Sequence, residues 1–201
     1  MKRLYLTRHG ETLFNQLHRI QGASDSPLTE KGIAQAKAAR GLIAGVEFDH
    51  YYTSTQERAV DTLEIMTEYQ KDYQKDYRRL KGLKEFDFGV FEGQSEQLNP
   101  KVDPTTGYGD FFVQYGGESS QGVGQRMNET LLQIMQQPDH QQVLAVSHGG
   151  AIYNFARIWL DTQKELGHGF RNLSTIVMDF DPTKEQFFFV KLLTLAEIGF
   201  E

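Results

Sequence analysis

A chain of 201 residues, 39% hydrophobic and 24% charged, suits one folded unit with a substantial core and is too apolar to remain disordered. Its net charge of -6 excludes a broad polyanion-binding surface, because nucleic acids are held by clustered Lys and Arg. A few arginines meeting in one cleft still suit a small anionic ligand. No window reaches the roughly 20 apolar residues of a membrane span, and "MKRLYLTRHG" breaks at Arg8 too early for a secretory signal. The absence of cysteine removes disulfides, thiolate zinc sites and a cysteine nucleophile. A soluble, cytoplasmic protein is expected, with no membrane or nucleic-acid partner.

"KRLYLT" (2–7), short, apolar and closed by Gly10, predicts a buried strand. "LTEKGIAQAKAARGLIAG" (28–45) predicts a helix capped by Thr29 and stopped at Gly45. "FDHYYTS" (48–54) is a second strand, and "STQE" (54–57) has the form of a capping box opening a helix striped by Ala59, Val60, Leu63, Met66 and Thr67. The Gln-Lys-Asp-Tyr echo in 68–79 is too brief to be a repeat architecture. Residues 121–135 place Val123, Met127, Leu131 and Ile134 on one helical face before Pro138. "QVLAVSHGGAIYNFARIWL" (142–160) reads as strand, His-Gly-Gly turn and helix, and 174–193 as an antiparallel hairpin at a sheet edge whose exposed strand permits a homodimer.

Alternation of strands and helices predicts an α/β fold: a three-layer domain whose mostly parallel mixed sheet is flanked by helices. One domain over 1–201 is expected, with residues 94–121, rich in Pro, Gly and aromatic side chains, as a lid-like excursion over one face.

Three strands end in chemically similar ways. Arg8 and His9 follow the first, Arg58 follows the second by one turn, and His148 follows "QVLAVS". Residues past the carboxyl ends of neighbouring strands share a crevice in such sheets. Two arginines and two histidines therefore define an anion site, with phosphate the best match to paired guanidinium donors. A neutral imidazole held at one nitrogen can attack phosphorus with the other, and Gly10 would let the phosphoryl group come close. A leaving alkoxide needs a proton, for which Glu85, at the end of an apolar stretch from Leu80, is a candidate; Leu83, Phe86 and Phe88 would raise its pKa and the arginines would lower it. Spacing alone leaves Asp87 and Glu92 equally eligible. A metal is the rival use for two histidines, but the neighbouring arginines would repel a cation.

"LTRHGETLFN" (6–15) resembles the RHGE(T/S)xxN signature of the histidine phosphatase superfamily, the phosphoglycerate mutase-like fold. "IQGASDSPLTEKGIAQA" (20–36), "STQERAVDT" (54–62), "EFDFGVFEG" (85–93), "GGESSQGVGQR" (116–126) and "VSHGG" (146–150) are similar, in order, to the family's later blocks. The resemblance implies that His9 is the phosphorylated nucleophile, Arg8, Arg58 and His148 the phosphate pocket, and Glu85 the proton donor. It adds Asn15 as a phosphate contact, Gln21 and Gly22 as positions bordering the substrate and Gly149 beside the pocket, with no metal and no cofactor. Family mutases carry a longer insertion with paired arginines for a second phosphate, whereas 94–121 holds no arginine and a single lysine, Lys101. "EFDFGVFEG" is similar to the block of broad-specificity and α-ribazole-phosphatase-like members. Hydrolysis of a small phosphorylated metabolite is the expected activity, with a phosphoglycerate mutase and a non-catalytic phospholigand-binding module as alternatives.

Overall fold

The computed structural model describes residues 1–68, 76–167 and 170–200. The Gln-Lys-Asp-Tyr echo falls largely on 69–75, outside the described residues.

Six strands form one mixed sheet in the order β3-β2-β4-β1-β5-β6. β1 (Lys2–Arg8), β2 (His50–Ser54), β3 (Tyr77–Leu80) and β4 (Gln142–Ser147) run parallel, while β5 (Thr175–Asp181) and β6 (Gln186–Leu193) add an antiparallel edge hairpin. In the central strands both faces are buried, and successive side chains alternate between them. Leu4, Leu6, Val143 and Ala145 face a layer containing α4 (Ser120–Gln136) and α5 (Gly149–Trp159). Tyr5, Leu144 and Val146 face α2 (Glu30–Ala38) and α3 (Glu57–Thr67). The three-layer α/β arrangement and its mostly parallel mixed sheet agree with the sequence reading. Two short helices complete the set, α1 (Leu13–Gln16) and α6 (Thr162–Leu166). No helix among the described residues is long and apolar enough to cross a membrane.

Local departures have physical causes. Thr29 caps α2 by accepting from the Gly32 N–H, but the helix tightens into a 3-10 turn over Ala39–Ile43 before Gly45 reverses the chain at φ 78°. The capping box of Ser54 and Glu57 does not form: α3 begins only at Glu57, and Gln56 is its cap residue. Ser54 Oγ instead accepts from the Gln56 N–H, because the Gln56 side chain is drawn away to Glu85 and Gly22 and holds the backbone extended. β3 precedes Leu80's apolar stretch rather than being made by it, and a 3-10 turn over Lys81–Leu83 then delivers Glu85.

The excursion over 94–121 contributes to the core rather than packing only on itself. Phe112 is fully buried, with its ring 5.0 Å from Phe88 and 5.7 Å from Phe86. Edge-to-face pairs of this kind add to what apolar burial contributes. Phe112→Ala should cost about 3–5 kcal/mol, read as a lowered urea midpoint. A loss under about 1 kcal/mol would show that the segment is not part of the core.

Candidate active site

β1, β4 and β2 are neighbours in the sheet, so their carboxyl ends bring His9, His148 and the first turn of α3 to one place. The His9 and His148 rings lie 5.2 Å apart, centre to centre. His9 is anchored through its backbone, its N–H donating to the Ser147 carbonyl at 3.0 Å. Its Nδ1 lies 2.7 Å from the Gly10 carbonyl. A carbonyl oxygen only accepts, so Nδ1 carries the proton and Nε2 presents a lone pair.

His148 has the opposite tautomer. Arg58 Nε donates to His148 Nδ1 at 3.1 Å, and a guanidinium cannot accept, so Nδ1 supplies the lone pair and Nε2 carries the proton. His148 Nε2 is buried and has no partner in the protein, as is Arg8 Nε. Two buried donors are thus left without partners, one on the ring 5.2 Å from that of His9 and one on the residue before His9. Burial, reinforced by the Arg58 charge, holds both histidines well below the usual imidazole range, so both are neutral near pH 7.

Arg58 is completely buried, yet its guanidinium is filled from the protein side. Nη1 donates to the Ser24 carbonyl and Asp25 Oδ1, both at 2.8 Å, and Nη2 to the Gly22 carbonyl at 2.9 Å. Arg8 Nη1 donates to the Phe170 carbonyl at 2.6 Å. Burial lowers the Arg8 pKa while Glu85 opposes that shift.

Among the three eligible carboxylates, environment separates what spacing did not. Glu85 is not enclosed by apolar side chains alone. Its oxygens take the Gly150 N–H at 2.9 Å, the Ala151 N–H at 2.7 Å and the Phe86 N–H at 2.8 Å, which places it against the start of α5. Asp87 Oδ1 closes a local turn by accepting from the Gly89 N–H. Glu92 clamps the 22–24 loop, taking the N–H groups of Gly22, Ala23 and Ser24 together with that of Phe88. Burial pushes the Glu92 pKa up, but these hydrogen bonds and the Ser24 hydroxyl outweigh it and lower the pKa overall.

Arg8, Glu85, Gly149 and Gly150 line a cleft of about 340 Å³ that Tyr108 and Arg157 close from the sides. A Cβ on Gly149 would sit 3.1 Å from Arg8 Nε, so a side chain there would press on the guanidinium. Gly22 is packed behind Arg58, where a Cβ would fall 1.9 Å from the Phe86 carbonyl oxygen. Gln21 is tied to Thr12 and Ser26 and does not line this cleft. Asn15 completes the capping box of α1 with Thr12 and accepts from Asn172 at 3.4 Å. Gly10 is required by packing rather than by ligand approach: a Cβ there would meet the Gly32 carbonyl at 2.8 Å.

Several supporting residues were not singled out by spacing. Asn172 donates to the His9 carbonyl at 2.9 Å, and Thr62 Oγ1 accepts the Gly10 N–H at 3.0 Å. Gln56 accepts the Glu85 N–H, and Arg126 donates to the carbonyls of Gly82, Lys84 and Glu85. Thr62, Gln56 and Arg126 lie inside the quoted motif blocks, which was the available signal. Among the described residues, His50, Asp139 and His140 form a separate group with metal-capable atoms, at the amino ends of β2 and β4 and so at the far end of the sheet. Their donors are engaged with one another and with Tyr52.

Residues 4–192 match the family model described as Histidine phosphatase superfamily (branch 1), and the chain belongs to that superfamily. A relative named "Probable phosphoglycerate mutase GpmB" from Proteus mirabilis (strain HI4320) is 35% identical over 158 residues, covering 76% of this chain and 72% of that protein. The solved phosphoglycerate mutase of Bacillus anthracis str. Sterne superimposes with a TM-score of 0.84 at 23% identity, over 98% of this chain and 95% of that one, and so shares the fold. A phosphoserine phosphatase from Entamoeba histolytica, solved in complex with 3-phosphoglyceric acid, gives a TM-score of 0.73 at 26% identity, over 96% and 98% of the two chains.

The lowered histidine pKa values carry a sign for stability. Between the ordinary value near 6.5 and the depressed native values, the unfolded chain binds more protons than the native one. Stability therefore falls as pH drops below about 6.5, by at most about 1.4 kcal/mol per pH unit for each histidine. Urea midpoints at pH 7.5 and 5.5 measure it, and the difference should shrink in His148→Asn. Glu92→Gln should cost about 3 kcal/mol, since an amide offers donors where the loop also donates; thermal unfolding reads that loss.

Proposed function

We propose that this protein is a phosphatase that hydrolyses small phosphate monoesters through a covalent phosphohistidine on His9. The observation that carries the reading is the pairing of opposite tautomers. His9 keeps a lone pair at Nε2, its ring lies 5.2 Å from that of His148, and two donors nearby in the chain or in space, His148 Nε2–H and Arg8 Nε–H, have no partner in the protein. A phosphoryl group supplies what each lacks: an electrophilic phosphorus for the lone pair and oxygens for the donors.

In the first step His9 Nε2 attacks phosphorus, the P–N bond forms as the ester P–O bond breaks, and the leaving alkoxide takes a proton from Glu85. Arg8 and His148 stabilise charge on the equatorial oxygens, an effect strongest where the donors are already in place. In the second step water attacks the phosphoryl group, the P–N electron pair returns to His9, and Glu85 takes the water's proton. Asn15 steadies the His9 strand through Asn172. Gln21 and Gly22 act from behind, by placing the loop that holds Arg58, while the Gly149 N–H, which has no intrahelical acceptor at the first position of α5, faces the ligand.

Brief incubation with labelled substrate and alkaline denaturation should trap an acid-labile phosphoenzyme. Active protein that yields none would overturn the reading. His9→Ala should lower kcat/KM by about 1,000-fold or more. Glu85→Gln should lower it by roughly 100- to 10,000-fold for alkyl phosphates. The loss should be smaller for p-nitrophenyl phosphate, whose leaving group needs no proton.

The name of the Proteus mirabilis relative favours a second reading, a phosphoglycerate mutase. Against it stands the lack of arginine in 94–121. A coupled assay with 2,3-bisphosphoglycerate separates them: mutase turnover above hydrolysis would replace the first reading with the second.

A further inference from the structure

Arg8, Glu85 and Gly149, which the phosphatase reading assigns to the phosphoryl group, line the cleft. Its wall carries another cation, Arg157, eight residues into the chain beyond Gly149 and supplied by α5 rather than by the 94–121 segment. Arg157 is half-buried. Nη1 donates to Asn154 Oδ1 at 2.6 Å, Nε lies at a long 3.4 Å from the Pro104 carbonyl, and the guanidinium stacks over the Tyr153 ring at 4.7 Å. These contacts are all to neutral groups. Asp103, the nearby acid of the excursion, acts on Arg157 through space, while its Oδ1 accepts from the N–H groups of Thr105 and Thr106 and the Thr105 hydroxyl.

Gly107 completes the arrangement. It sits at φ 70°, and a Cβ there would fall 2.8 Å from Arg157 Nη1. The excursion thus passes close over the guanidinium only because a glycine faces it. Among the described residues the guanidinium makes no direct ion pair, and its charge is offset only through space by Asp103, so its fork remains able to take a carboxylate or phosphate by paired donors.

We propose that Arg157 forms a second anion subsite in the cleft, which selects phosphate monoesters whose leaving group carries its own acidic group, a carboxylate or a further phosphate. The proposal rests on the phosphatase reading of the same cleft. It also changes the argument from composition: a clamp for a second anion is missing from 94–121 but is present on the opposite wall. The facing charges are Arg8, which adds attraction, and Glu85, which opposes it from the start of α5.

Two substrates that differ only in the acidic group test it. 3-Phosphoglycerate carries a carboxylate where glycerol 3-phosphate carries a hydroxymethyl group. The wild-type protein should show a higher kcat/KM for 3-phosphoglycerate, and Arg157→Gln should lower the ratio of the two by about tenfold or more, chiefly through KM. Arg157→Lys keeps the charge without the fork and should fall between them. An unchanged ratio in Arg157→Gln, or an equal loss on both substrates as expected if Arg157 merely braces Pro104, would overturn the subsite while leaving the phosphatase reading intact. A wild-type protein inactive on both esters and on p-nitrophenyl phosphate would instead remove the phosphatase reading and the subsite with it.

Discussion

A buried guanidinium that can only donate sets the terms for everything around it. Arg58 has no solvent to satisfy it, so the chain must bring it acceptors: the carbonyls of Gly22 and Ser24, the Asp25 carboxylate and His148 Nδ1. The first three fix the course of the loop between α1 and α2. The fourth fixes a proton, because an imidazole that accepts at Nδ1 must donate at Nε2. Removing the guanidinium would leave buried acceptors unpaired and free His148 to adopt either tautomer.

Two identical side chains end up with opposite roles because their neighbours differ in polarity, not in position. His9 meets a carbonyl and keeps a lone pair at Nε2; His148 meets a guanidinium and keeps a proton there. Both are kept neutral chiefly by burial and further by the arginines beside them. On the proposed mechanism those arginines have a second use, as the charges that attract the phosphate. A net charge of -6 does not oppose this, since the field inside a narrow cleft is governed by its nearest charges.

The architecture was legible wherever one period dominated. The short apolar run of β1, buried on both faces, the 3.6-residue stripe of α4 and the Thr29 cap are local signals, and each is realised. The start of α3 was not legible, because Gln56 is recruited by residues 34 and 29 positions away in the chain and its backbone follows its side chain. Nor could spacing distinguish Glu85 from Asp87 and Glu92; their fates are decided by α5, a tight turn and the 22–24 loop respectively. Spacing did not single out Arg157, whose relation to Pro104 and Gly107 spans some fifty positions. The family blocks supplied what periodicity lacked, an ordering of residues that meet only in three dimensions.

α5 begins where Glu85 grips the N–H groups of Gly150 and Ala151, and it carries Arg157 on the same rigid rod. Eight residues at a rise of about 1.5 Å each separate Gly149 from Arg157 by about 12 Å along the axis, and helical side chains lean back toward the amino end, shortening that span. Because one helix sets the backbone spacing, motion of the 94–121 segment does not alter it. On the proposed subsite the helix is a gauge: it sets how far an acidic group stands from the ester bond, and so selects by length as well as by charge.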